Sequence, residues 1–125
     1  KYICKNQIKK GLTGIRQVLK LFKKDYSIAL MIDQRVSEGI KSNFFNKEAF
    51  TTTIPAQLVK KFDCKIVPIY IQSVDQFNYK LTVNNPINFE KTETIQSITD
   101  KLNIILEKMI LKNPEQWIWS HNRWK

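Results

Sequence analysis

The chain has 125 residues, a hydrophobic fraction of 42% and a formal charge of +10. That length fits one domain, and the apolar content suffices for a modest core and excludes a disordered chain. The longest apolar runs, residues 28–32 and 66–71, are far shorter than the roughly 20 residues that cross a bilayer, so no transmembrane helix is read from them.

Residues 1–24 hold Lys1, Lys5, Lys9, Lys10, Arg16, Lys20, Lys23 and Lys24 and no acid. Such a block requires an anionic partner, and nucleic acid, anionic lipid headgroups, phosphorylated sugars and an acidic carrier protein all meet that requirement. Cys4 and Cys64 stand far apart with no further ligand at metal spacing, which argues against a zinc site and a disulfide framework and for free thiols in a reducing compartment. The chain begins at Lys1 with neither an initiator Met nor a charged-then-apolar leader, and it is read as a truncated chain.

In chain order, Leu12, Ile15, Val18, Leu19 and Phe22 recur at helical spacing with Arg16, Lys20, Lys23 and Lys24 on the other faces, so a helix is predicted over residues 12–24, with Gly11 at its start. Residues 28–32 form an uninterrupted apolar run, the pattern of a strand buried on both faces and favouring a parallel sheet. Asp33 and Gln34 then fall at the carboxyl end of that strand, the edge where open α/β sheets bind ligands. Residues 35–50 lose periodicity and carry Gly39 and the Phe44-Phe45 pair, which reads as a long functional loop.

Thr51-Thr52-Thr53 offer hydroxyl caps and Pro55 suits a first turn, so a helix is predicted to run to about Phe62. A second strand follows over residues 65–72, a turn over residues 73–77, and a half-exposed strand over residues 78–84. Ile95, Ile98, Leu102, Ile105, Met109 and Ile110 mark a helix over residues 94–111, closed by Asn113-Pro114, and the tail is aromatic and basic. The order α-β-α-β-β-α, without repeats or a visible boundary, predicts one compact α/β unit with a mixed sheet flanked by helices.

Several strings along this order resemble the lipid A biosynthesis acyltransferase family. Lys10-Gly11 ahead of an amphipathic helix, Ala29-Leu30-Met31-Ile32-Asp33-Gln34, Gly39, Phe44-Phe45, Ala49, Thr51, Pro55-Ala56 and Ile66-Val67-Pro68 follow the family's order. Asn46 stands where the family has Gly; Asn is the next residue most tolerant of positive φ, so the loop shape can persist. The most specific string is the tail, residues 114–125, similar to the family's Pro-Glu-Gln-Trp-x-Trp-x-His-x-Arg-Trp ending.

The resemblance implies a glycerophosphate-acyltransferase-like layered fold, of which residues 1–125 are the C-terminal portion of a single acyltransferase domain. It implies an enzyme at the cytoplasmic face of the bacterial inner membrane that moves a fatty acyl chain from acyl carrier protein to a hydroxyl of a lipid A precursor, without a cofactor. A His-x4-Asp/Glu dyad supplies the base in such enzymes, the His taking the hydroxyl proton and the carboxylate orienting it. The single His121 lies too near Lys125 to complete that pattern, so the dyad is expected upstream and the fragment alone is expected to be inactive.

Substrate contacts are expected from Asp33, Gln34, Arg35, Lys41, Phe44, Phe45, Thr51 and Arg123. Each has a plainer reading. Asp33 can cap a turn instead of arranging the acceptor or a nearby basic side chain. Phe44 and Phe45 can fold onto the core instead of lining an acyl channel, and Arg35, Lys41 and Lys47 can form a solvated loop instead of a phosphate site. Trp117, Trp119 and Trp124 can anchor a core or sit at a headgroup layer, and His121 is expected to make a structural hydrogen bond. Two rivals stand beside this reading. A basic nucleic-acid-binding module accounts for the charge and aromatics, although no nucleic acid is expected. A glycerophosphate or lysophospholipid acyltransferase would carry a Pro-Glu-Gly-Thr-type block where this chain has Asp33-Gln34-Arg35.

Overall fold

The computed structural model describes residues 7–8 and 12–124. Cys4, the Lys10-Gly11 pair, Lys1, Lys5, Lys9 and Lys125 lie outside the described residues. The chain divides into two compact units, residues 1–30 and 31–125.

In the first unit, α1 spans Leu12–Phe22. Val18, Leu19, Leu21 and Phe22 are half-buried, while Arg16 and Lys20 are exposed. The helix stops short of Lys24 because residues 23–25 turn the chain, with Lys24 N–H donating to the Leu21 carbonyl at 2.9 Å and Asp25 at φ 61°. The strand expected over residues 28–32 is not formed among the described residues, and Met31 is 80% exposed. A continuous apolar run specifies a preference for burial and leaves open which strand would supply its ladder.

The second unit contains the strand pairs. The segment expected as a long loop is a hairpin of β1 (Ile40–Phe44) and β2 (Lys47–Thr51), paired antiparallel from Ile40↔Thr51 to Phe44↔Lys47. Its two-residue turn holds Phe45 at φ 51° and Asn46 at φ 60°, the pair of left-handed residues that matches the twist of flanking strands. Alternation is present once the register is known: Ser42, Phe44, Ala49 and Thr51 are buried, and Lys41, Asn43 and Glu48 face water. Gly39 admits the chain to β1, since a Cβ there would stand 2.3 Å from the Thr51 carbonyl oxygen.

Helix α2 spans Ile54–Phe62 with Pro55 in its first turn. Thr53 occupies the cap position without a side-chain cap bond; the Thr52 hydroxyl instead accepts from Ile54 N–H at 3.3 Å. Asp63, at φ 53°, ends the helix by donating its N–H to the Val59 carbonyl, the left-handed closure common at helix ends. Strands β3 (Ile69–Ser73) and β4 (Tyr79–Val83) form the second hairpin, flanked at its open end by a bridge between Ile66 and Ile87. Helix α3 spans Ile95–Ile110, with the Thr94 hydroxyl accepting from Ser97 N–H at 3.1 Å, and 3₁₀ turns at Pro114–Gln116 and Trp119–His121 carry the tail.

Helix α3 serves two cores. Ile98 and Leu102 pack with Ala56 and Val59 of α2, flanked by Ile32, Cys64, Ile66 and Phe89. Ile110 packs with Phe44 and Ala49 of the first hairpin, flanked by Phe45, Leu106, Trp117 and Trp124. Fully burying such a side chain is worth about 1.5–3 kcal/mol, so the 16-residue α3 is the element on which both halves of the second unit depend. The described chain is mixed α/β, as expected, with three α-helices and two antiparallel two-stranded sheets. The order is α-β-β-α-β-β-α, and neither sheet mixes parallel and antiparallel pairing as the sequence reading had it.

Candidate functional site

Polar side chains enter the second core along a seam between the first hairpin, α3 and the tail. Thr51 and Ser42 project inward from neighbouring strands, and Asn103 meets both from α3: its Nδ2 donates to Ser42 Oγ at 2.8 Å, to Thr51 Oγ1 at 3.1 Å and to the Asn43 carbonyl at 3.1 Å. Ser42 in turn donates to Asp100 Oδ1 at 2.6 Å. Thr51 donates to the Ala49 carbonyl and accepts a second bond, at 3.1 Å, from Arg123 Nη2. The seam is therefore a chain of polar groups running from a buried cation to a carboxylate at the edge of α3.

Arg123 is 0% exposed. Its guanidinium donates Nη1 to the Phe50 carbonyl and Nη2 to the Ile32 carbonyl at 3.3 Å, and it lies over the Phe44 ring at 5.1 Å. Burial pushes its pKa down, and the charge of Asp33 opposes that shift. Two atoms of the seam, Asn103 Oδ1 and Arg123 Nε, are buried without a hydrogen-bond partner. Both atoms belong to side chains that are bonded to Thr51 Oγ1.

Around the cation the aromatic rings form one cluster. Phe44 meets Phe45 at 4.9 Å, Trp117 at 5.8 Å and Trp124 at 5.7 Å between centroids, and Trp119 extends the cluster through Trp117 at 4.6 Å. Trp124 Nε1 donates to the Phe44 carbonyl at 2.9 Å and Trp119 Nε1 to the Pro114 carbonyl at 2.7 Å. Edge-to-face pairs of this kind add about 0.5–1.5 kcal/mol each beyond area burial. At the hairpin tip, Phe45 N–H donates to Glu107 Oε1 at 2.7 Å, which pins the left-handed turn to α3.

The expected substrate residues therefore divide into two sets. Arg123, Phe44 and Thr51 are inside the second core and bonded or packed to the chain itself. Gln34, Arg35 and Lys41 are exposed and Asp33 and Phe45 half-buried. Lys41 reaches across the hairpin to Glu48 at 2.9 Å, an exposed pair of little energetic consequence. The structure joins Asp33 to Arg123 and Thr51 through the gripped Ile32 carbonyl. It brings no bond from Gln34 or Arg35 to the others.

His121 is exposed, and among the described residues its imidazole makes no hydrogen bond, so the structural bond expected of it is not formed. Ser42, Asp100 and Asn103 were not foreseen. Asn103 had a legible signal, a carboxamide between Thr99 and Leu106 on the buried stripe of an otherwise apolar helix face, where a polar group persists only if it is bonded. A concave surface of about 250 Å³ lined by Ile87, Asn88, Phe89, Lys101, Ile104 and Ile105 shares none of the expected residues. Among the described residues no three His, Cys, Asp or Glu side chains gather as metal ligands, and no helix is long and apolar enough to cross a membrane. Cys64 is a free thiol whose pKa is pushed up, chiefly by burial and also by the Asp63 charge.

No curated protein matches the chain. The family model described as bacterial lipid A biosynthesis acyltransferase matches residues 5–125, a span that includes the Asp33 segment, the first hairpin and the whole seam. The chain belongs to the bacterial lipid A biosynthesis acyltransferase family.

Proposed function

We propose that the chain is the substrate-facing C-terminal portion of an acyltransferase that moves a fatty acyl chain from acyl carrier protein to a hydroxyl of a lipid A precursor. The observation that carries this reading is the family match over residues 5–125. The polar segment Asp33-Gln34-Arg35 carries a half-buried carboxylate beside an exposed guanidinium, an arrangement suited to an acceptor bearing hydroxyls and phosphates. Phe45 and the exposed cations Lys41 and Lys47 lie along the same hairpin, where acyl chain and phosphate would be met together.

In the reaction, a base removes the proton of the acceptor hydroxyl, and the oxygen attacks the thioester carbonyl. The C–S bond then breaks, and the carrier's thiolate leaves and takes up a proton. The base this reaction requires is a His-x4-Asp/Glu dyad, a pattern that residues 1–125 do not contain. The enzyme works at the cytoplasmic face of the inner membrane, and the exposed Arg16, Lys20, Lys23 and Lys24 suit the anionic surface and the acidic carrier it would meet there.

The test is an acyl-transfer assay with labelled acyl carrier protein thioester and lipid A precursor, using the complete protein. Wild type is expected to transfer the label, and Asp33→Ala is expected to abolish transfer with an unchanged circular dichroism spectrum. Normal turnover by Asp33→Ala would remove that carboxylate from the site, and a stop codon just upstream of the Lys1 codon would remove the dyad.

A further inference from the structure

Arg123 is a full cation held 0% exposed with no carboxylate within ion-pair distance among the described residues. Burying an unpaired charge is expensive, and a fold that needed only to fill this volume would do better with an apolar side chain. The three oxygens that accept from it belong to residues at the two edges of the candidate site: the carbonyls of Ile32 and Phe50, and the hydroxyl of Thr51. The Ile32 carbonyl is part of the same rigid peptide plane as the Asp33 nitrogen, so fixing its oxygen fixes where the Asp33 side chain starts. The Phe50 carbonyl is in turn part of the peptide plane that enters Thr51.

We infer that Arg123 is a positioning residue: its guanidinium clamps the Ile32-Asp33 peptide to the end of β2, and so holds the Asp33 carboxylate where the acceptor substrate meets it. This inference rests on the reading that Asp33 faces the acceptor. The guanidinium reaches these acceptors from two nitrogens of one rigid plane, whereas a lysine ammonium gathers its three donors on a single nitrogen, so lysine at this position keeps the charge and loses part of the clamp. The aromatic tail thereby gains a role beyond packing, since Phe44 below the guanidinium and Trp124 bonded to the Phe44 carbonyl hold the clamp itself in place.

The experiment measures KM for the lipid A precursor, kcat and melting temperature for the complete enzyme carrying Arg123→Lys, Arg123→Gln, Asp33→Asn and the double change Arg123→Gln/Asp33→Asn. Arg123→Gln is expected to raise the acceptor KM by about 10- to 100-fold, the scale that a misplacement near 1 Å produces. The KM for the acyl carrier protein thioester is expected to stay unchanged, and Arg123→Lys is expected to fall between wild type and Arg123→Gln. Asp33→Asn, unlike Asp33→Ala, keeps a polar side chain of the same size and is expected to retain measurable turnover, and in that background Arg123→Gln is expected to have no further effect, because coupled residues are not additive. A lowered melting temperature with a wild-type acceptor KM in Arg123→Lys, or additive effects in the double variant, would overturn the clamp while leaving the Asp33 reading intact. A wild-type KM and kcat in Asp33→Asn would overturn both. If Arg123→Gln does not fold, Arg123→Lys alone and combined with Asp33→Asn carries the same comparison.

Discussion

The two hairpins have strands of the same length, are both antiparallel and are both joined to the region after α3, yet they bury opposite kinds of surface. In β1–β2 the inward face holds Ser42, Phe44, Ala49 and Thr51, and the outward face holds Lys41 and Glu48. In β3–β4 the polar alternation points toward the tail: Asn113 Nδ2 donates to Tyr70 Oη at 2.9 Å and to Gln72 at 3.3 Å, and Gln116 bonds both backbone groups of Ser73. The other face, with Ile69, Ile71, Tyr79, Leu81 and Val83, is exposed, Ile71 at 59%. The first hairpin is held by a core and the second by hydrogen bonds, so local alternation alone does not reveal which face of a strand pair is the inner one.

The largest test of that contrast is truncation. Phe44→Ala is expected to cost about 3–5 kcal/mol in urea unfolding, as loss of a fully buried aromatic does, while Ile71→Ala is expected to cost well under about 1 kcal/mol. Equal costs would show that the two hairpins contribute alike. Next, Asn103→Ala strips the seam of its central donor and leaves Ser42 and Thr51 with fewer partners, for an expected loss of about 1–3 kcal/mol. A variant as stable as wild type would mean that the seam is not a structural bond network.

A smaller or comparable loss, about 1–3 kcal/mol, is expected for Gly39→Ala, whose methyl must displace the Thr51 backbone. Asn46→Gly should gain a few tenths of a kcal/mol by relaxing a left-handed residue, about 0.5 kcal/mol at most. A loss of stability there would show that the Asn side chain itself supports the turn.

The smallest effect belongs to the second hairpin and depends on pH. Asp75 accepts from the Asn78 amide and from the backbone N–H groups of Phe77 and Asn78, which together hold its pKa below the usual carboxylate range, the Asn78 side chain foremost. A depressed folded pKa contributes stability that is complete above the unfolded value, about 4, and is lost as pH falls through the folded one. The protection of the Phe77 and Asn78 amides, taken relative to their intrinsic exchange rates, is therefore expected to fall in acid below that range, and Asp75→Asn is expected to remove the dependence. Unchanged protection through the same range would place the turn's stability elsewhere.

Much of this was legible in the sequence. The periodic stripe of α3, the Pro55 start of α2 and the alternation in β4 are local signals, and each element formed within a few residues of its expected bounds. Family membership was legible from ordered strings such as Asp33-Gln34 and the Trp-rich tail. The first hairpin was not, because its strands are built from Lys, Ser, Asn and Glu as much as from apolar residues, and its turn is Phe-Asn where Asn-Gly would have announced it. The run over residues 28–32 misled in the opposite direction, since hydrophobicity without a pairing partner carries no register. Arg123 is expected from the sequence as a substrate contact, and its burial is not legible there, because nothing local tells a guanidinium that its acceptors lie as far as 91 residues back along the chain.

Those separations also set an order of events during synthesis. Arg123 and Trp124 close loops of 72, 73, 80 and 91 residues onto Thr51, Phe50, Phe44 and Ile32. Closing a loop costs only about 0.6 kcal/mol more for each doubling of its length, so such contacts are affordable in the finished fold. On a ribosome they are late: at about 5–20 residues per second, the Phe44 side chain waits several seconds for its tryptophan partners. Throughout that interval the hairpin has at most α3, and not the tail, to cover it, and a nascent chain stalled before residue 117 lacks the Trp117 and Trp124 rings that pack on Phe44.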